Sequence, residues 1–287
     1  MITIRNPLEW GADQLKHAAG AAQSIGRAGQ ETRAHWGSPA PAIRRIAIAD
    51  LKPILEKGFA DFAACRTDVV FLCVVYPVLG LILARIAFGE RLLPLLFPLA
   101  SGFALVGPFA GVGLYEMSRR RETGAAVGWV DAFGVVASPA IGAIVLLGLI
   151  LMAIFLAWLA AAWGIYALTL GPAPPASIAD FVRAVLTTER GWLMIVIGIG
   201  TGFLFALLVL AISVVSFPLL LDRATGLDTA VRASFRAVAA NPAPIAAWGL
   251  VVAIGLALGS LPLFVGLIVV VPVLGHATWH LYRRVVE

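Results

Sequence analysis

The stretch PAPIAAWGLVVAIGLALGSLPLFVGLIVVVPVLGHATWHLY, residues 242–282, decides the fold. As a single α-helix rising 1.5 Å per residue it would be about 60 Å long, twice the roughly 30 Å hydrocarbon core of a bilayer. The chain must therefore turn back within it, and Gly259, Ser260, Leu261 and Pro262 supply the turn. Two spans result, at about 243–259 and 263–282. The same length test upstream finds apolar runs at 69–88, 92–117, 139–166 and 192–221, the first two separated by the polar turn Gly89, Glu90, Arg91. The predicted fold is all-α: a polytopic transmembrane helical bundle of six spans within residues 50–287. Residues 1–49 are expected to form a cytoplasmic tail, mobile or bound to the membrane surface.

Composition agrees with a lipid solvent. Of the 287 residues 61% are hydrophobic and 13% charged, against about 25% charged in soluble domains. The net charge of +5 does not point to nucleic acid, because all basic residues but Lys16, Lys52 and Lys57 are Arg, and most flank apolar runs rather than forming a patch. Cys65 and Cys73 have neither the number nor the spacing of a disulfide framework or a zinc site. The first forty residues carry charges throughout and lack a continuous apolar stretch, so no secretory signal is expected and the N-terminus should stay inside.

Orientation follows from the excess of Lys and Arg on cytoplasmic flanks. With the N-terminus inside, the inner flanks hold Lys52, Lys57, Arg66, Arg119, Arg120, Arg121, Arg223, Arg232, Arg236, Arg283 and Arg284, and the outer side only Arg85, Arg91, Arg183 and Arg190. Both termini are thus predicted to be cytoplasmic. Tyr115, Trp129 and Tyr282 inside, with Trp163, Tyr166 and Trp192 outside, occupy positions suited to interfacial aromatic belts, and Asp68 reads as a helix N-cap. The GxxxG pairs Gly107/Gly111, Gly198/Gly202 and Gly255/Gly259 predict close helix packing.

Amphipathic segments are expected on the cytoplasmic face. RETGAAVGWVDAFGVVA from Arg121 and RATGLDTAVRASFRAVA from Arg223 align at a shift of 102 residues, matching at Thr123/Thr225, Gly124/Gly226 and Phe133/Phe235 among others. Each reads as a short surface helix entering the next span near Pro139 or Pro242. A third such helix precedes the first span, with Leu51, Ile54, Leu55, Phe59 and Phe62 on one face. The loop GPAPPASIADFVRAVLTTERG has room for another, on the outer side.

Few residues suggest chemistry. His276 and His280 lie one helical turn apart, a spacing that suits a divalent metal if Glu116, Asp131 or Asp222 supplies a third ligand. The competing and commoner arrangement is two imidazoles hydrogen-bonded to neighbouring helix ends. No cofactor is expected, since haem would need a partner histidine that no other span has. Arg119, Arg120, Arg121, Arg223, Arg283 and Arg284 form a cytoplasmic basic cluster, either a docking surface or anchors that pair with Glu116 and Asp222 and bind anionic lipid headgroups. No GxSxG, HExxH or Walker motif occurs, and the span centres lack charged residues where ion-coupled transporters place them.

Three strings carry a further signal: GPFAGVGLYEMSRRRETG (107–124), FPLLLDRATG (217–226) leading to SFRAVAANPAPIAAWG (234–249), and PVLGHATWHLYRR (272–284). Together, from about Asp50 to Arg284, the chain resembles the domain of unknown function 2189 family of bacterial predicted integral membrane proteins. The resemblance implies an inner-membrane location and brings no activity with it. The leading expectation is a non-enzymatic scaffold, accessory subunit or assembly partner whose partners are the lipid bilayer and a membrane protein or a second copy of the chain. The alternatives are a transporter or exporter of a small or lipidic solute, and a metal-dependent membrane enzyme.

Overall fold

Apolar residues without period, and no charge for twenty positions or more, leave a helix no face to turn to water, and that is where the long helices form. The structure, a computed structural model, describes residues 41–65, 78, 81, 82, 85 and 93–287 apart from 224. The predicted first span apart from residues 78, 81, 82 and 85, the turn 89–91, Arg66, Asp68 and Cys73, and most of the N-terminal tail lie outside the described residues.

The described helices are α1 (Leu51–Ala64), α2 (Leu96–Ala110), α3 (Val112–Glu122), α4 (Ile141–Thr169), α5 (Ile178–Thr187), α6 (Glu189–Ser213), α7 (Ser216–Asp222), α8 (Leu227–Ala240), α9 (Pro242–Ser260) and α10 (Leu267–Val285). Short 3₁₀ turns precede α1 and α2, and a longer one covers Trp129–Ala137. Among the described residues there is no strand, only an isolated antiparallel bridge between Ile43 and Val286.

Four runs are long and apolar enough to cross a membrane: Leu93–Glu122, Ile141–Thr169, Glu189–Asp222 and Pro242–Ser260. They coincide with the predicted spans two to five. The first run bends where α2 meets α3 at Gly111, just after Pro108; proline inside a helix removes one backbone bond and crowds the preceding turn. The expected turn after Gly259 is present, with Leu263 and Phe264 in the left-handed region (φ 52° and 66°). Beyond it α10 covers the predicted sixth span, but His276, His280, Arg283 and Arg284 in its second half make it less apolar than the other four.

Several expectations are corrected. Of the GxxxG pairs, only Gly255/Gly259 faces a neighbouring helix at both positions: a Cβ on Gly259 would lie 2.9 Å from Leu267, and one on Gly255 would touch Leu274 and Val270 at 3.3 Å. Gly202 faces Trp158, whereas Gly107 and Gly198 meet nothing within 4 Å among the described residues. Tyr115 and Tyr282 are not belt residues but fully packed in the core. The two repeat copies differ in structure. The second forms α8, while the first, broken by Gly124 (φ +78°) and Gly128, becomes the 3₁₀ segment Trp129–Ala137. A Cβ on Gly134 would meet the Arg120 guanidinium at 2.3 Å, so a larger residue there would push that side chain off its bonds to Glu116 and Asp131.

The face of α1 is also rotated from expectation. Leu51, Ile54, Gly58 and Asp61 are buried with Cys65 beyond the helix end, a 3-4-3-4 spacing, and Phe59 is 57% exposed. That buried stripe lies against α10, whose C-terminal half is among the most deeply packed parts of the molecule. The helix expected in the loop before the fourth span is found as α5, capped by Ser177, which accepts from the Asp180 N–H. Ile178 and Leu186 on it are exposed.

Candidate functional site

Two glycines bring three helices together at one end of the bundle. A Cβ on Gly58 of α1 would fall 2.6 Å from the Ala277 Cβ, and one on Gly275 of α10 would fall 2.5 Å from Leu114 of α3. Around these contacts α1 contributes Asp61, α3 contributes Ser118, Arg121 and Glu122, and α10 contributes His276 and His280. The pairs 118/122 and 276/280 are each one turn apart and so share a face.

Asp61 is the centre of the cluster. Its Oδ2 accepts from Ser118 Oγ at 2.7 Å and lies 2.8 Å from His280 Nε2, and its Oδ1 pairs with Arg121 Nε at 2.8 Å. Burial pushes this carboxyl up, but the hydrogen bonds from His280 and Ser118 outweigh it and hold Asp61 below its ordinary 3.8. Ser118 has a single proton, and it goes to the carboxylate. His276 Nδ1, 2.8 Å from Ser118 Oγ, must therefore be the donor in that contact. This leaves His276 Nε2 as a buried acceptor without a hydrogen-bond partner among the described residues. His280 Nδ1 stands 3.8 Å from Glu122, which also pairs with Arg283 at 3.3 Å.

Serine, histidine and aspartate meet here, but not as a hydrolytic triad. Such a triad needs an exposed serine whose base is oriented by the acid; Ser118 is 1% exposed and bonds the acid directly. The predicted metal set is not assembled either. Glu116 is held by Arg119 and Arg120, Asp131 by Arg120, and Asp222 by the Tyr282 hydroxyl at 2.6 Å. Among the described residues no group of three His, Cys, Asp or Glu is placed to hold a metal ion. Sequence reasoning found His276 and His280 but not Asp61. Its signal was the position of an acid on the 51-54-58-61-65 stripe.

The six cluster arginines are each tied to an acid. Glu116, 2% exposed at its side chain, accepts from Arg119 Nε at 2.8 Å, Arg119 Nη2 at 3.0 Å and Arg120 Nε at 2.6 Å. Arg120 also reaches Asp131, whose other oxygen accepts the Gly128 N–H. Arg283 lies 3.6 Å from Asp222, Arg223 3.9 Å from it, and Arg284 2.8 Å from Asp50. The segment 42–46 and the C-terminal residues join the same assembly. Arg44 N–H donates to the Val285 carbonyl, Glu287 N–H to the Ala42 carbonyl, and Asn241 clamps the Ile46 N–H and Arg44 carbonyl.

This pairing separates arginines that hold the fold from those that merely sit on it. Replacing Arg119 and Arg120 together by Ala strands the buried Glu116 carboxylate and is expected to cost about 1–3 kcal/mol in thermal unfolding in mild detergent. Arg223→Ala, removing a 3.9 Å pair with Asp222 and one exposed hydrogen bond to the Glu287 carbonyl at 2.6 Å, leaves no buried charge unpaired and should cost about 1 kcal/mol or less. Equal effects from the two changes would show that Glu116 does not depend on its partners.

Comparison with known proteins agrees with the architecture. The family described as predicted integral membrane protein (DUF2189) matches residues 96–222, from α2 through α7, a narrower range than the strings at 107–124, 217–249 and 272–284 cover. No curated protein and no solved structure matches the chain.

Proposed function

On the premise that residues 96–222 belong to the DUF2189 family of predicted integral membrane proteins, we propose that the chain is a six-span scaffold or assembly partner of the bacterial inner membrane. In this reading both termini are cytoplasmic, and the Asp61 cluster is a structural lock rather than a catalytic or metal centre. Support for an even number of spans comes from the residues on either side of 66–92. Cys65 packs with Met117 near the end of the Leu93–Glu122 run, while Leu93 lies at the other end of that run. The apolar run 69–88 is long enough to join them by one crossing. The bridge between Ile43, ahead of α1, and Val286 supports the same reading.

The observation that carries the scaffold reading is closure. The ionisable groups at this end of the bundle bond one another, and Ser118 and His276 are each 1% exposed, so the cluster offers no open position to a substrate. What it does is fix α1 rigidly beneath the helices, with Lys52, Lys57 and Phe59 facing outward. A pre-ordered helix loses little entropy on docking.

The test is mass spectrometry of what co-purifies with the tagged chain from its native membrane in mild detergent. The comparison is a Lys52→Glu, Lys57→Glu, Phe59→Ala variant, which alters only the exposed face of α1. A specific partner present with the parent chain and lost with the variant, at unchanged thermal stability, is the expected result. Recovery of the parent as a lone chain, or a partner indifferent to the variant, would overturn the docking role of α1.

A further inference from the structure

A cavity of about 380 Å³ lies beside the α2/α3 junction, between these helices, the 3₁₀ segment Trp129–Ala137 and the start of α4. Its floor is the buried Val112, Leu114, Val135 and Ile144, and its rim carries Phe109 and Phe133, each more than a third exposed. Every lining residue is apolar. A volume of this size is in the range of sites that hold small ligands.

Depth identifies the occupant. Phe109 and Leu114 precede Arg119 by ten and five residues, so the cavity lies about 8–15 Å from the basic triplet along the helix. If Arg119, Arg120 and Arg121 mark the headgroups, this is the acyl-chain zone of the inner leaflet, whose half of the hydrocarbon core is about 15 Å thick. At that depth water is scarce, and an empty apolar space forfeits the dispersion contacts of its walls. The bilayer supplies one kind of molecule to fill it.

We propose that this cavity binds one acyl chain of an inner-leaflet phospholipid. Binding is read through the chain and not the headgroup, because Arg119 and Arg120 are already compensated by Glu116 and Asp131. The site does not depend on the docking role of α1.

Photoreactive phospholipids with a diazirine on the acyl chain, in vesicles of otherwise matched composition, test this directly. Cross-links mapped by peptide mass spectrometry should concentrate in 109–114 and 132–145. They should exceed those on the exposed α6 residues Ile199 and Phe203 by about tenfold, the ratio that 1.4 kcal/mol of preferential packing gives. Val136→Phe fills the cavity from the 3₁₀ segment and Ala110→Phe from α2; each should abolish the excess, while Leu204→Phe on the open face of α6 leaves it intact. Phosphatidylglycerol and phosphatidylethanolamine probes should label alike. Labelling no denser in the cavity than on α6, an excess that survives both filling variants in folded protein, or one that appears with a single headgroup would overturn the proposal.

Discussion

Asp61→Ala is expected to destabilise the protein by about 3 kcal/mol, the lower end of the cost of removing one member of a buried ion pair. The lower end applies because the Arg121 guanidinium, 40% exposed, can recover water. Ser118 and His280 have no such recourse: both are buried or nearly so, and both direct a donor at the same carboxylate oxygen. Ser118→Ala deletes one neutral donor and should cost about 1 kcal/mol. The pH response separates a true carboxylate role from a packing one. A carboxyl held below its ordinary value stabilises the fold at every pH above its unfolded value of about 3.9, and that contribution is lost as pH falls through the folded value. The parent chain should therefore lose stability on acidification below about pH 4, and Asp61→Ala should lack that component. Thermal unfolding in detergent across pH 3–8 checks both points. A neutral-pH loss under about 0.5 kcal/mol, the size of an ordinary surface change, would mean the cluster holds nothing together.

Gly58→Val should have an effect of similar size by a different route. The new side chain would overlap not only the Ala277 Cβ but its backbone N and Cα, at 2.7 and 2.8 Å, and backbone cannot swing aside as a rotamer can. Overpacking of this kind costs about 1–3 kcal/mol. Lifting α1 away from α10 would also break the bonds of Asp61, one turn further on. Gly58→Ala is the more discriminating change. On an undocked helix, replacing Gly by Ala stabilises by about 1 kcal/mol; on a helix pressed against Ala277 it should destabilise. Limited proteolysis of the segment 41–65 beside thermal unfolding reads the difference, and a stabilised Gly58→Ala protein resistant to protease would exclude the close contact.

The apolar runs made spans two to five readable from sequence, because hydrophobic length is a local property and lipid imposes it strongly. What is not local was missed. In α1 the expected face held at Leu51, Ile54, Leu55 and Phe62 and failed at Phe59, whereas contact with α10 added Gly58 and Asp61, a small residue and an acid whose partners are 57 to 219 positions away. The repeat at Arg121 and Arg223 was legible as similarity but not as conformation. Gly124 and Gly128 break the first copy ahead of a 3₁₀ segment whose Gly134 lies against Arg120, and Leu227–Ala240, without glycine, runs as an α-helix. Tyr282 looked interfacial because tyrosine at a span end usually is, yet Asp222 draws its hydroxyl inward. His276 and His280 were singled out correctly as neighbours, and the acid between them and α3 came from a helix that no ligand-spacing rule connects to theirs.

The distance in sequence between Asp61 and His280 sets the order in which the molecule is made. At about 5–20 residues per second, some 10–40 s of synthesis separate the emergence of α1 from that of the helix that receives it. For most of that interval Asp61 has Ser118 and Arg121 of α3 within the chain already made, whereas His280 and the Ala277 surface that covers Gly58 are still missing. Arrival of α10 is the event that completes the cluster and covers the buried face of α1. A chain cut before residue 276 would carry every apolar run of the described bundle up to α9 and still lack the helix half that covers Gly58 and Asp61.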